Sequence, residues 1–297
     1  MVQSTRRRQL FRRYSSIYLL IMPVLIYFAV FSFYPLVLGI VSSFQKTKLL
    51  GGATFVGLEN YKAALQDKAF IQALRNSVWL GFVSTVATLS SALILAILLY
   101  EVRSKTLRKV IQTTTFLPFL FSWTVVGGIW IYLLSHRGLV NSFLNLLGQE
   151  RLSFMARPGW AISIFAFTAA WKNAGYNALI LIAAMMNIPP EIYEAARIDG
   201  ATRMQQIRHL TLPSLWPTFR TLLLLGVTGM LRNFDQVFVM GNPAINDRVR
   251  SLMVYIFEKG ITQFDVGLAT AAASVVLIIT FVLTQASRRL LRFDQAL

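Results

Sequence analysis

The chain has 297 residues, of which 56% are hydrophobic and 14% are charged, and its mean hydropathy is +0.58. A soluble domain of this size is rarely so apolar, so the composition predicts a protein that crosses a membrane several times. The net charge of +17 falls in short basic clusters between long apolar runs, which argues against a nucleic-acid surface, and the absence of cysteine excludes disulfides and sulfur metal sites.

The first apolar run follows five arginines and extends from Tyr14 to Gln45 without a charged residue. A basic tail before an apolar run is also typical of a secretory signal peptide, but this run is too long and lacks a small-residue cleavage site at its end. We therefore interpret it as a retained first span. Pro23 and Pro35 are expected to bend it.

Five further segments are long enough to cross a hydrocarbon core about 30 Å thick, which takes roughly 20 apolar residues in a helix. Pro118 is expected to bend the third span, and the fourth and fifth spans carry charged residues. The predicted fold is all-α, a single transmembrane domain over residues 1–297. Its six predicted spans cover about residues 16–40, 76–100, 110–134, 160–186, 219–240 and 266–287.

An even number of spans places both ends of the chain on one side of the membrane. Lysine and arginine are denser in the N-terminal tail, in the links 101–109 and 187–220 and after Ser287 than in the longer loops between the other spans. Because basic loops stay in the cytoplasm, we expect both termini and the link between spans four and five to be cytoplasmic.

The link between predicted spans four and five, about residues 187–217, is the one long stretch that is amphipathic instead of apolar. We call this segment the coupling loop. Pro190 suits the first position of a helix, Glu191 complements the helix dipole, and Gly200 supplies a left-handed residue that ends the helix. Ile192, Ala195, Ala196 and Asp199 share one face of it. Such small side chains permit close approach of a soluble partner, although they could instead face the membrane interface.

A second short helix is expected in the same loop. Thr202 and Gln205 match a capping box, and the helix is predicted to run to about Leu210 and to be closed by Pro213. The coupling loop is thus predicted to be a cytoplasmic helix-turn-helix.

The coupling loop also carries a Glu-Ala-Ala triplet, a glycine after three further residues and a Leu-Pro pair. These residues resemble the EAA signature of permease subunits in binding-protein-dependent ABC importers, with Leu210 where that signature usually has isoleucine. Similarity to sugar permeases of the maltose-importer class extends to Tyr34-Pro35, Ser43-Phe44, residues 55–61 and Asn76-Ser77. The resemblance implies that coupling to an ATPase involves Glu194, Ala195, Ala196, Asp199, Gly200, Leu212 and Pro213.

The same resemblance implies a bacterial inner-membrane assembly with a second homologous permease subunit, a cytoplasmic ATPase dimer and an extracytoplasmic solute-binding protein. The chain contains no Gly-Lys dipeptide, so it lacks a phosphate-binding P-loop, and ATP with Mg is expected on the ATPase. We therefore expect a transport subunit that is not an enzyme, with no cofactor, metal or catalytic residue of its own.

Ionisable residues inside spans are candidates for function because they are unfavourable in hydrocarbon. Lys172 and Arg232 each lie twelve residues from one end of a span, roughly 18 Å deep and thus near the bilayer centre. Aromatic, amide and charged groups around them suit a sugar. The predicted substrate-binding residues are Lys172, Asn173, Tyr176, Asn177, Arg232, Asn233, Asp235 and Trp123.

Other interpretations remain open at this point. Arg232 and Asp235 could form an internal ion pair, and Lys172 could pin a neighbouring helix. A different function, an ion-coupled secondary transporter, would use Lys172 and Asp235 as coupling residues and no ATPase. Two cations at mid-depth favour an acidic or highly hydroxylated oligosaccharide, and residues 234–243 resemble permeases for polysaccharide-derived oligosaccharides.

Overall fold

The computed structural model describes residues 14–47 and 52–291 of the chain. The arginine-rich tail before Tyr14 and the residues after Leu291 lie outside this described part. The first span consists of helices α1 (Ser15–Phe28) and α2 (Tyr34–Ser43), joined by a π-helical turn at Ala29–Phe33. Pro23 lies inside α1 and Pro35 in the first turn of α2, so the irregular turn falls between the two prolines.

A short hairpin follows the first span, because strand β1 (Gln45–Thr47) pairs antiparallel with β2 (Ala53–Phe55). Helix α3 (Glu59–Gln66) then leads into α4 (Lys68–Glu101), an unbroken helix of 34 residues. The remaining α-helices are α5 (Lys105–Leu120), α6 (Trp123–Leu133), α7 (Leu139–Leu146), α8 (Pro158–Met185), α9 (Pro190–Ile198), α10 (Arg203–Gln206), α11 (Leu212–Gly229), α12 (Asp235–Met240), α13 (Asn246–Val249), α14 (Leu252–Phe257) and α15 (Val266–Leu290). Irregular helical turns lie at Phe154–Ala156, Ile207–Thr211, Met230–Arg232 and Glu258–Thr262.

The described residues contain four helices that are long and apolar enough to cross a membrane, or up to six if each bent pair counts as one span. In the first such pair, the helix axis bends by 104° between α5 and α6. The break follows Phe121 and not Pro118, because the chain leaves helical geometry only at Phe121 and Ser122. The predicted all-α membrane fold is confirmed.

The predicted end of the second coupling helix is wrong. Helix α10 does not stop near Leu210 but continues through the π-helical turn into α11, and Pro213 lies in the first turn of α11. Proline lacks an N–H donor, and the turn directly before it changes the hydrogen-bond register, so the helix tolerates the proline there. The fifth span is therefore the later part of a longer helix that starts at Arg203.

Three apolar clusters hold the helices together. In one of them α4, α8 and α11 meet through Leu89, Ala92, Leu181 and Leu215. Helix α5 also packs along α8. Gly175 makes this packing possible, because a Cβ atom there would overlap the backbone carbonyl of Thr115 in α5.

Asp67 joins two loop regions at the start of α4. Its carboxylate accepts hydrogen bonds from the Ala69 N–H at 2.8 Å and from the Tyr255 hydroxyl at 2.7 Å, and the Lys259 ammonium lies 3.6 Å away. Burial works to raise the pKa of Asp67, but these hydrogen bonds and the charge of Lys259 together hold that pKa below its usual value of 3.8.

Because the folded pKa of Asp67 lies below the unfolded value, the ionised carboxylate stabilises the fold at neutral pH, and this stabilisation is lost as the pH falls below about 3.8. Asp67→Ala is expected to lower the free energy of unfolding at pH 7 by about 2 kcal/mol, since a helix cap and a partly buried hydrogen bond to Tyr255 disappear. Thermal melts of the purified protein at pH 7 and pH 3 would test this. The deficit should shrink at pH 3, and an equal deficit at both pH values would contradict the assignment. Asp67→Asn, which can still cap α4, is the matched control.

Candidate functional site

A cavity of about 440 Å³ lies between α4, the α5–α6 break, α8, α11 and the turn at Met230–Arg232. Its volume is in the range of small-ligand sites. Seven of the eight residues predicted to bind substrate line it, although they come from three separate parts of the chain. These residues are Trp123, Asn173, Tyr176, Asn177, Arg232, Asn233 and Asp235.

Helix α8 supplies two of the amide groups of the cavity, those of Asn173 and Asn177. Asn173 and Asn177 are one turn apart and therefore share a face of the helix. The side-chain nitrogen of Asn173 donates to the carbonyl of Ala169, and that of Asn177 donates to the carbonyl of Asn173, both at 2.9 Å. With the nitrogens held by the backbone, the amide oxygens remain as acceptors for a ligand's hydroxyl groups.

The charged groups stand where the fifth span is interrupted. After the tight turn at Met230–Arg232 the chain is extended at Asn233 and becomes helical again at Asp235. Arg232 and Asp235 are both exposed toward the cavity and form no salt bridge in the part of the chain that the structure describes. The alternative of an internal ion pair is therefore not what the structure shows.

Gln236 anchors the interrupted segment to helix α8 through hydrogen bonds. It is 1% exposed, and its side-chain nitrogen donates to the Phe165 carbonyl at 2.8 Å and to the Thr168 hydroxyl at 2.9 Å. Its side-chain oxygen accepts from Asn233 at 3.1 Å. Asn233 and its charged neighbours are thus held against α8.

Lys172 is the one predicted substrate residue that does not line the cavity. It is 7% exposed, and its ammonium donates to the carbonyls of Pro118, Phe119 and Phe121 at the α5–α6 break. The expected direct contact with substrate does not fit this geometry. The open alternative, that Lys172 pins a neighbouring helix, does fit it.

Several cavity residues were missed by the sequence analysis. Helix α4 contributes three hydroxyl groups, those of Ser84, Thr85 and Thr88, and the Ser84 hydroxyl is buried without a hydrogen-bond partner among the described residues. Phe119 also lines the wall and stacks on Tyr176, with ring centroids 4.2 Å apart and planes 9° apart. A cluster of small hydroxyl residues within an aliphatic span was the available signal for the α4 wall.

The coupling loop folds as two short helices. Helix α9 ends at Ile198 and is followed by Gly200, whose φ of +78° favours glycine, and the capping box of Thr202 and Gln205 is present at the start of α10. The Tyr193 hydroxyl and the Thr211 hydroxyl are hydrogen-bonded at 2.9 Å in the interior, which fixes α9 against the start of α11.

The coupling loop is also joined to the spans. Arg203 donates to both carboxylate oxygens of Glu101, at 2.6 and 2.8 Å, and Glu101 is the last residue of α4. This bidentate salt bridge fixes the orientation of the guanidinium relative to the carboxylate.

The predicted coupling residues form a surface at the end of the bundle. Glu194, Ala195, Asp199, Gly200 and Pro213 are exposed, whereas Ala196 and Leu212 are half-buried. Two apolar side chains that the sequence analysis did not single out stand beside them, since Ile198 is 87% and Met204 71% exposed. An apolar surface next to charged groups is typical of a site that binds another protein.

The family and the two relatives described here are all named as components of transport systems. The profile of the family described as “Binding-protein-dependent transport system inner membrane component” matches residues 92–293. The arabinooligosaccharides transport system permease protein AraP of Halalkalibacterium halodurans is 34% identical over 270 residues, covering 90% of this chain and 84% of that protein. The polygalacturonan/rhamnogalacturonan transport system permease protein YteP of Bacillus subtilis is 29% identical over 279 residues, covering 92% and 87%.

A solved structure has nearly the same fold. It is a chain of a bacterial ABC transporter involved in the import of the acidic polysaccharide alginate, with a TM-score of 0.89 and 29% identity, covering 97% of this chain and 98% of that chain. The alginate transporter has also been solved in complex with a periplasmic protein bound to an alginate pentasaccharide, and its matching chain has a TM-score of 0.89 and 28% identity, covering 96% of this chain and 97% of that chain.

Proposed function

This chain belongs to the family of inner-membrane components of binding-protein-dependent transport systems, and from that membership we propose that it imports an oligosaccharide with energy from a separate ATPase. The observation that carries the sugar assignment is the cavity, where amide oxygens, hydroxyl groups, the Arg232 guanidinium and the Phe119–Tyr176 aromatic wall face one space. Such groups bind the hydroxyls and apolar faces of sugar rings.

An acidic or polysaccharide-derived oligosaccharide is the proposed substrate class. Arg232 is exposed toward the cavity and forms no salt bridge within residues 14–47 and 52–291, so it is available to a carboxylate of the substrate. The names of the alginate and polygalacturonan/rhamnogalacturonan relatives support this class.

The coupling loop is the proposed site of ATPase binding, through Glu194 to Gly200 on α9. Ile198 and Met204 support this assignment. Both are large apolar side chains that are exposed, and contact with another protein would bury them. The proposed assembly contains a second permease subunit, a cytoplasmic ATPase dimer that holds ATP and Mg, and an extracytoplasmic binding protein. Both termini of this chain would be cytoplasmic, and the chain would carry no cofactor.

Reconstitution of the complete importer tests the proposal. ATP hydrolysis and uptake should be stimulated by the binding protein together with an alginate pentasaccharide or an arabino-oligosaccharide. Uptake driven by a proton or sodium gradient without ATP would favour the secondary transporter, in which Asp235 and Lys172 would be coupling residues.

Asn173→Ala together with Asn177→Ala is expected to lower the uptake rate at limiting sugar by about tenfold, since two hydrogen bonds to the ligand are removed at about 0.7 kcal/mol each. Thr280→Ala is the control, because the Thr280 side chain also donates to a carbonyl of its own helix but lies outside both the cavity and the coupling loop. Equal uptake by the double variant and the control would contradict the assignment of α8 to substrate binding.

A further inference from the structure

The break between α5 and α6 leaves backbone carbonyls without helical partners. A helix end has up to four carbonyls that no N–H group of the same helix can reach, and in an apolar segment each requires another donor. Here the Phe121 N–H donates to the Pro118 carbonyl at 3.3 Å, whereas the Phe119 and Phe121 carbonyls accept from no backbone N–H among the described residues, and the chain then bends by 104° into α6.

Lys172 supplies the missing donors. Its ammonium lies 3.3 Å from the Pro118 oxygen, 2.9 Å from the Phe119 oxygen and 2.5 Å from the Phe121 oxygen. An ammonium has three N–H groups, so these three acceptors use all of them. The positive charge also faces the C-terminal end of α5, where the helix dipole favours a cation.

Two aromatic rings surround the same ammonium. It lies 5.6 Å from the ring centroid of Phe119 and 5.7 Å from that of Trp123, which are cation–π distances. Both rings line the cavity, and they stand on opposite sides of the break. One ammonium therefore contacts both aromatic groups.

Helix α8 reinforces this arrangement next to Lys172. Gly175 allows the α5 backbone to approach, and Tyr176, one turn after Lys172, stacks on Phe119. From these contacts we infer that Lys172 is a positioning residue, which holds the α5–α6 break in its bent form and thereby sets the aromatic wall of the cavity. This inference rests on the proposed function only for its effect on transport, and the bend itself is measurable independently.

The experiment measures the bend in the complete importer in nanodiscs. The chain has no cysteine, so Val110→Cys and Tyr132→Cys, at exposed positions of α5 and α6, can be spin-labelled on the purified chain before assembly with no background from the chain itself. A straight helix would separate these two Cα atoms by roughly 33 Å, whereas a 104° bend brings them to roughly 20 Å. The bent form predicts a short, narrow label–label distance distribution.

Lys172→Met is expected to broaden this distribution and shift it to longer distances, and Lys172→Arg, which keeps the charge and the donors, should restore the short distance. Arg232→Met serves as the comparison, because Arg232 lines the cavity but does not contact the break. It should leave the distance unchanged.

Uptake of alginate pentasaccharide or an arabino-oligosaccharide provides the second measurement. Lys172→Met is expected to raise the apparent KM for whichever sugar is imported by at least about tenfold, since misplaced binding groups lose their contacts. An unchanged label–label distance in Lys172→Met would overturn the inference. If the distance is unchanged and the KM rises for the acidic sugar alone, Lys172 is a direct ligand of the substrate. If neither sugar is imported by the unaltered protein, the proposed substrate class is wrong, and the distance measurement still decides the role of Lys172.

Discussion

Ile198→Asp is expected to prevent binding of the ATPase while the permease itself stays folded. Ile198 is 87% exposed, so the substitution removes almost no packing within the chain. If Ile198 is buried against the ATPase, a carboxylate in its place costs about 2–4 kcal/mol, which weakens binding roughly 30- to 1000-fold. Affinity measurements with purified ATPase and a thermal melt of the permease would separate binding from folding.

Leu146→Asp is the matched control for this experiment. Leu146 is 83% exposed and lies in the loop that the proposed topology places on the other side of the membrane. It should leave ATPase affinity unchanged. Equal affinities for Ile198→Asp and the unaltered chain would mean that α9 is not the ATPase-binding surface.

Gly175→Ala is expected to destabilise the bundle by about 3 kcal/mol and to reduce the yield of assembled importer severely. The new methyl group would overlap the backbone carbonyl of Thr115, and a backbone atom cannot rotate away as a side chain does. Helix α5 would have to move away from α8, taking Phe119 out of the cavity wall.

Gly128→Ala tests whether this effect is specific. Gly128 also lies in an apolar helix, but apart from its chain neighbours and the nearby backbone of its own helix, no atom of the described chain lies within 4 Å of a Cβ built there. Melting temperature and size-exclusion profile should be unaffected by Gly128→Ala and strongly changed by Gly175→Ala. An unchanged melting temperature in both would show that the α5–α8 contact is looser than the structure indicates.

The sequence was sufficient to find most of the cavity because polar residues are conspicuous in apolar spans. Asn173, Arg232 and Asp235 stand out in this way, and the capping box of the coupling loop is readable from Thr202 and Gln205 alone. The hydroxyl groups of Ser84 and Thr88 are a weaker signal, since such residues in membrane helices commonly bond to their own backbone.

The sequence left two roles open for Lys172, substrate contact and the pinning of a neighbouring helix, for a different reason. Its partners are three backbone carbonyls, and carbonyls carry no sequence signal. Pro118 suggested a bend, but the position of the break depends on where α8 offers donors and a glycine, which is tertiary information. The continuation of α10 past Pro213 likewise depends on a π-helical turn that no residue pattern announces.

Helix α4 runs without interruption from Lys68 to Glu101, about 51 Å for its 34 residues, which exceeds the roughly 30 Å of a hydrocarbon core. Its first residue follows the Asp67–Tyr255 contact, and its last is held by Arg203 of the coupling loop. An unbroken helix cannot shorten or lengthen appreciably. We therefore expect that a tilt imposed on one end of α4 by a docked protein would displace the other end as well, on the opposite face of the membrane.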